Sequence, residues 1–216
     1  LGFVVGPMLG GLLIGTQPTV DSFALPCFIA AAFSFVAVLL GLMILQEPVR
    51  HEIKEKGRTT FTVLRRAVMG NGVPAVIGLN FLVTLAFTAL MALLPLWCQA
   101  RLGWGPQEVS FTYVYIGFWV AFLQGVLVGP LTKRMGAPRV LLLGATALSG
   151  GLLSVVLVTD IVGFAFVTLA LCIGTSFCHP TLTAMISQRA DSDHQGTVMG
   201  TANSVAAIGR LASPPL

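Results

Sequence analysis

The chain has 216 residues, 56% of them hydrophobic and only 9% charged, with a formal net charge of +4. A soluble domain carries about 25% charged residues, so this composition excludes a water-exposed globule and leaves an all-α, polytopic transmembrane helical bundle as the fold class. The basic excess is not a nucleic-acid footprint, because the cations sit in short segments between long apolar runs.

Apolar runs at 2–14, 23–45, 73–97, 110–131, 140–158, 162–186 and 197–216 read as membrane helices. Each uninterrupted one has the ~20 residues that cross a bilayer. The first and last read as cut, which predicts a piece of a longer protein with five whole helices and two partial ones. The opening run, "GFVVGPMLGG", places Gly2, Gly6 and Gly10 four residues apart, with Pro7 and Gly11 beside them. These residues make a poor helix in water. In lipid, a stripe of small residues lets two backbones approach, and a proline bend is tolerated where neighbours compensate. Span 23–45 is nearly all Leu, Val, Ala, Phe and Gly, and reads as a helix that faces lipid or fills gaps.

Segment 46–72 is the longest polar stretch and mixes both signs of charge. Phe61, Leu64 and Val68 beside Arg65 and Arg66 suit a short helix on the inner membrane surface; a solvated basic linker is the alternative. Span 73–97 then carries Asn80, Thr84, Phe87, Thr88 and Met91 in aligned positions. Asn80 offers donors and acceptors, while Phe87 and Met91 offer adaptable apolar contact, a mixture that suits hydrophobic or cationic compounds of varied shape. Ordinary core packing is the competing account of Phe87 and Met91.

Span 110–131 holds a second stripe, Gly117, Ala121, Gly125 and Gly129, complementary to the first. The two stripes predict antiparallel contact with Gly6 near Gly117 or Ala121. Gln124, on the same helix, is a candidate substrate contact or a hydrogen-bonding partner of a neighbouring helix. Span 140–158 is again plain. Span 162–186 aligns Thr168, Cys172, Thr175, Ser176, His179 and Thr183 within about 100° of helix rotation. Polar groups in hydrocarbon need water or a partner, so this face reads as the wall of an aqueous cavity, unless the hydroxyls bond back to their own helix. His179 is a candidate for proton coupling or a hydrogen-bonded packing residue. In span 197–216, Arg210 is the one charge deep within a span, and it demands a partner or water.

The basic loops 46–72, 132–139 and 187–196 alternate with loops that contain only Arg101, so the positive-inside rule makes those three cytoplasmic. Cys27, Cys98, Cys172 and Cys178 have no metal or secreted-framework spacing and read as small apolar packing residues; the alternative is that Cys27 and Cys98, both near the outer side, meet. No metal or cofactor is expected.

The opening stretch, as Gly2-x3-Gly6-Pro7-x2-Gly10-Gly11, resembles the antiporter motif in helix five of the drug/proton antiporters of the major facilitator superfamily. "GPLTKRMGAPR" at 129–139 resembles the second copy of the superfamily's loop motif, between helices eight and nine, with Lys133 in its usual acidic position. "HPTLTAMIS", "QGTVMG" and "GRLASPP" are similar to helices ten and eleven. The resemblance implies a twelve-helix transporter represented from helix five to helix eleven. Residues 1–45 would then be the last two helices of the N-terminal bundle, 46–72 the cytoplasmic interdomain loop, and 73–216 a truncated C-terminal bundle. It further implies that helix five packs on helix eight, that helices seven and ten line the cavity, and that six and nine support it.

The function so implied is proton-coupled antiport, exporting drug-like or small organic compounds by alternating access. The partners are a small-molecule substrate, protons and the lipid bilayer of the plasma (inner) membrane, and the full-length protein is expected to be a monomer. The alternative is a carrier for a metabolite or sugar, which would call for more converging charged or amide groups. A membrane enzyme would need paired carboxylates or a nucleophile and base at membrane depth, and the spans hold no acidic residue other than Glu108 at a boundary. A retinal protein or receptor fails on the absence of an intramembrane Lys.

Overall fold

The computed structural model describes residues 6, 9–10, 13, 24–44, 72–190 and 195–213. Five helices among them are long and apolar enough to cross a membrane: Ala24–Ile44 (α1), Val73–Leu102 (α2), Pro106–Met135 (α3), Ala137–Val155 (α4) and Ile161–Arg189 (α5). A sixth, Gln195–Ala212 (α6), follows. The first five coincide with the five complete spans read from the sequence, with α2 and α3 extended to 30 residues each. Gly6, Leu9, Gly10 and Leu13 of the opening run are helical. The proposed surface helix at Phe61, Leu64 and Val68 lies outside the described residues, as does the rest of 46–72 except Gly72.

The chain divides into two compact units, Leu1–Lys56 with Trp104–Tyr115, and Gly57–Gly103 with Ile116–Leu216. In the first, α1 has no charged residue and buries none of its side chains. Its only hydroxyl, that of Ser34, donates to Ala30 O at 2.9 Å and so adds no unpaired polar group to an apolar surface. The start of α3 opens on Pro106, with the Glu108 carboxylate accepting from Gly105 N at 2.9 Å. A carboxylate there answers both the free N–H groups and the positive end of the helix dipole.

In the second unit, local chemistry sets where helices stop. Gly72 and Gly103 flank α2 with φ of +71° and +67°, a left-handed conformation that a Cβ disfavours. Asp160 caps α5, its Oδ2 accepting from Gly163 N at 3.1 Å. Within α3, residues Leu123–Val128 form a wider, π-helical turn. Pro130 lies two residues beyond it; it has no N–H to give Val126 O and its ring crowds that carbonyl, which the wider turn relieves.

α5 is the centre of this unit, packing on α2, the π turn of α3, α4 and α6. Its closest neighbour is α4, and glycines bring the two together. A Cβ at Gly174 would lie 2.7 Å from the backbone and Cβ of Leu148. One at Gly144 would lie 2.8 Å from Phe177 Cβ and 2.9 Å from Cys178 Sγ, and one at Gly151 would lie 2.8 Å from the Leu171 side chain. In lipid, where no hydrophobic effect drives helices together, this backbone approach supplies the dispersion contacts that do. The plain span 140–158 is therefore tightly packed through one glycine-bearing edge, a role its composition did not reveal.

At the other end of α5, Leu182 and Ile186 join Val73, Val76 and Ile77 of α2 and Val198 and Ala202 of α6 in one apolar core. Arg189 Nη1 donates to Gly72 O at 3.2 Å, and Gln195 Nε2 to Ser187 Oγ. These polar ties hold the two turns at the end of the unit that carries the basic loops.

Candidate functional site

The two polar faces expected from the sequence meet. Phe87 and Met91 of α2 and Thr168, Cys172 and Thr175 of α5 line one recess, which Ile116 of α3 completes. One turn along α5, the His179 imidazole meets the Phe87 ring edge-on, with centroids 5.9 Å apart and planes at 78°. The recess measures only about 10 Å³, barely room for one water. α3 shuts it, with the Cys172 thiol directed at Ile116 O at 3.8 Å.

The hydroxyls show which account of the polar stripe applies at each position. Thr175 Oγ1 donates within its own helix, to Leu171 O at 3.0 Å and Cys172 O at 3.2 Å, and Thr183 Oγ1 to His179 O at 2.9 Å. Those two follow the back-bonding account. Ser176 is fully buried, and its Oγ has no hydrogen-bond partner among the described residues. Along the stripe, Thr168, Cys172, Thr175 and Ser176 are buried, His179 is half-buried and Thr183 is exposed.

On α2, Thr84 is buried and Asn80 half-buried, one and two turns from Phe87 toward Gly72. Gln124 lies exposed on the π turn and is not among the residues that line the recess. Arg210 occupies the last turn of α6. Ser213, just beyond, donates to Leu85 O at 3.2 Å, and Gly209 faces the Phe81 ring. Leu85 is twelve residues into α2, about 18 Å from its start at 1.5 Å per residue, so Arg210 sits well within the apolar thickness. The two carboxylates among the described residues, Glu108 and Asp160, each cap a helix N-terminus instead.

Of the helix-interface residues, Gly2, Pro7 and Gly11 lie outside the described residues. Gly117 is buried and Ala121 exposed. At Gly6, Gly10 and Gly125 the space a Cβ would take is empty to 4 Å. Within the second unit, close glycine-mediated approach occurs at Gly144, Gly151 and Gly174. The seven-residue step from Gly144 to Gly151 was the available signal, since it keeps both on one helix edge. Sequence reasoning also missed a larger cavity of about 300 Å³, bounded by α2, the end of α4 and the start of α5. There Trp97 stacks on Phe164, with centroids 5.2 Å apart and planes 13° from parallel.

Comparison with known proteins agrees with this architecture. The tetracycline resistance protein, class G, of Vibrio anguillarum is 29% identical over 99% of this chain and 53% of its own length. The class C tetracycline resistance protein of Escherichia coli is 26% identical and multidrug resistance protein 1 of Bacillus subtilis 23%, with the same coverage. The chain thus spans about half the length of the curated relatives it matches. A family model described as Major Facilitator Superfamily matches residues 1–214. With helices long and apolar enough to cross a membrane and a family match over nearly its whole length, this integral, multi-pass membrane chain belongs to the Major Facilitator Superfamily.

Proposed function

We propose that the full-length protein is a proton-coupled antiporter of the plasma membrane, exporting drug-like or small organic compounds by alternating access. The observation that carries this reading is the convergence of Phe87, Met91 and His179 at one place. An aromatic ring, a flexible thioether and few directed polar groups suit hydrophobic compounds of varied shape. A carrier for one metabolite or sugar would need more fixed donors and acceptors than these. The names of the relatives, resistance to tetracycline and multidrug resistance, point the same way.

In this reading the recess is the closed form of the substrate site, and it opens when α3 withdraws Ile116 from α2 and α5. Asn80, Thr84 and Gln124 then contribute polar contacts along the same passage, and the loops 46–72, 132–139 and 187–196 face the cytoplasm. The protein works as a monomer.

The test uses inverted vesicles containing the full-length protein and an imposed proton gradient. Uptake of tetracycline or a lipophilic cationic dye, with proton release on substrate addition, is expected. Uptake without proton movement would remove the coupling, and no uptake of either probe would remove drug export.

A further inference from the structure

The wide turn in α3 sets which faces of that helix meet α5. Ile116 lies before the turn and Leu123 opens it, and both are buried. At about 100° per residue of α-helix, these two share one face. Val128 closes the turn and is buried as well, in a cluster with Phe177 of α5 and Val140 of α4. Continued as regular α-helix from Ile116, the chain would carry Val128 about 120° round from that face. A π turn closes its hydrogen bond one residue later than an α turn and so takes up one extra residue. With that residue absorbed, Ile116 and Val128 stand about 20° apart. The turn thus lets α3 seat Ile116 over the recess and anchor Val128 beside Phe177 at the same time.

We propose that this turn is a rotary latch for the recess. While it is π-helical, Ile116 covers Cys172. Its conversion to regular α-helix turns residues 116–122 by about 100° about their axis and takes Ile116 off α5, while Val128 stays on Phe177. Pro130 holds the balance toward the closed form, since it cannot donate to Val126 O as a residue of a regular helix would. The role in transport rests on the recess being the closed substrate site; the rotation itself does not.

The experiment places full-length protein in phosphatidylcholine vesicles and adds N-ethylmaleimide with no transported compound present. Labelling rates of Cys172 and Cys178 are followed by mass spectrometry, each assigned from fragment ions. Cys172 is buried with its thiol directed at Ile116 O, so it reports on the latch. Cys178 is buried toward α4, its thiol 4.0 Å from Leu141 O, so it reports on general loosening. Labelling proceeds through the open fraction, about 0.1–10% for a minor conformer, which leaves room for large changes in rate.

Gly125 lies within the turn and belongs to neither the recess nor the Val128 cluster. Its deletion takes out the extra residue, so a regular helix keeps Ile116 and Val128 together on α5 and the latch cannot turn. Cys172 labelling should slow about 10-fold. Pro130→Ala removes the preference for the wide turn and should speed it about 10-fold, with Cys178 unchanged in both variants. A merely structural turn predicts otherwise, since both changes would then loosen the unit and speed both cysteines. The proposal is overturned if deletion of Gly125 leaves the Cys172 rate unchanged or raises it in folded protein. It is equally overturned if Pro130→Ala leaves Cys172 unchanged or speeds both cysteines alike. Should the deletion misfold, Pro130→Ala decides alone. Opposite shifts at Cys172 in a protein that takes up neither tetracycline nor dye would keep the latch and remove the transport reading; uptake without those shifts would do the reverse.

Discussion

Gly174→Ala tests whether α4 and α5 are held together by backbone approach. The new methyl would lie 2.7 Å from three atoms of Leu148, two of them backbone. Carbon atoms rest at about 3.5–4.0 Å, so the helices must part by about 1 Å at that point. Backbone cannot swing aside as the end of a side chain can, and the Gly144–Cys178 and Gly151–Leu171 contacts on the same seam loosen with it. Such overpacking costs about 3 kcal/mol, at the upper end of the usual range. Replacing Gly by Ala within a helix returns about 1 kcal/mol. The net loss is therefore about 2 kcal/mol, or about 30-fold in the unfolding equilibrium. Gly150→Ala is the matched control, because Gly150 lies on α4 and a Cβ there meets nothing within 4 Å. It should leave stability unchanged or raise it by up to about 1 kcal/mol. Both variants of the full-length protein would be unfolded by SDS titration from mixed micelles and followed by circular dichroism. If Gly174→Ala proves no less stable than Gly150→Ala, the glycine seam does not hold α4 to α5.

Ser176→Ala removes a buried hydroxyl that has no hydrogen-bond partner among the described residues, and should raise stability by about 1 kcal/mol in the same titration; a loss of that size would mean the hydroxyl is paired in the intact protein. Asp160→Ala deletes the cap on Gly163 N and should cost about 1 kcal/mol, while Asp160→Asn keeps most of it. For transport, Phe87→Ala should weaken apparent substrate affinity about 10-fold through lost ring contact, measured as the substrate concentration for half-maximal uptake. Thr175→Val should change it little, because that hydroxyl already bonds within α5. Equal effects of the two would refute the assignment of Phe87 to the site.

The candidate site was legible in outline. Aligned polar residues on two spans marked α2 and α5 as facing helices, and Phe87, His179 and Thr175 do come together there. What each side chain does at that face was not legible. Thr175 and Thr183 spend their hydroxyls on carbonyls one turn back, a choice of rotamer that residue spacing does not fix. Gln124 shows a different limit. Its position was projected on a regular helix, whereas Gln124 lies in the π turn Leu123–Val128, a local geometry that the periodicity of the sequence does not announce.

The sequence by itself determined the membrane-crossing helices, their approximate ends and the family. Apolar length, glycines at left-handed corners, proline at a helix start and a capping Asp act within a few residues and need no distant partner. Only the tertiary structure decided which glycines of the second unit touch another helix, and those are Gly144, Gly151 and Gly174. A small residue permits a close approach but does not cause one. Whether it occurs depends on the rotation and crossing of two helices together, which no single stretch of chain encodes.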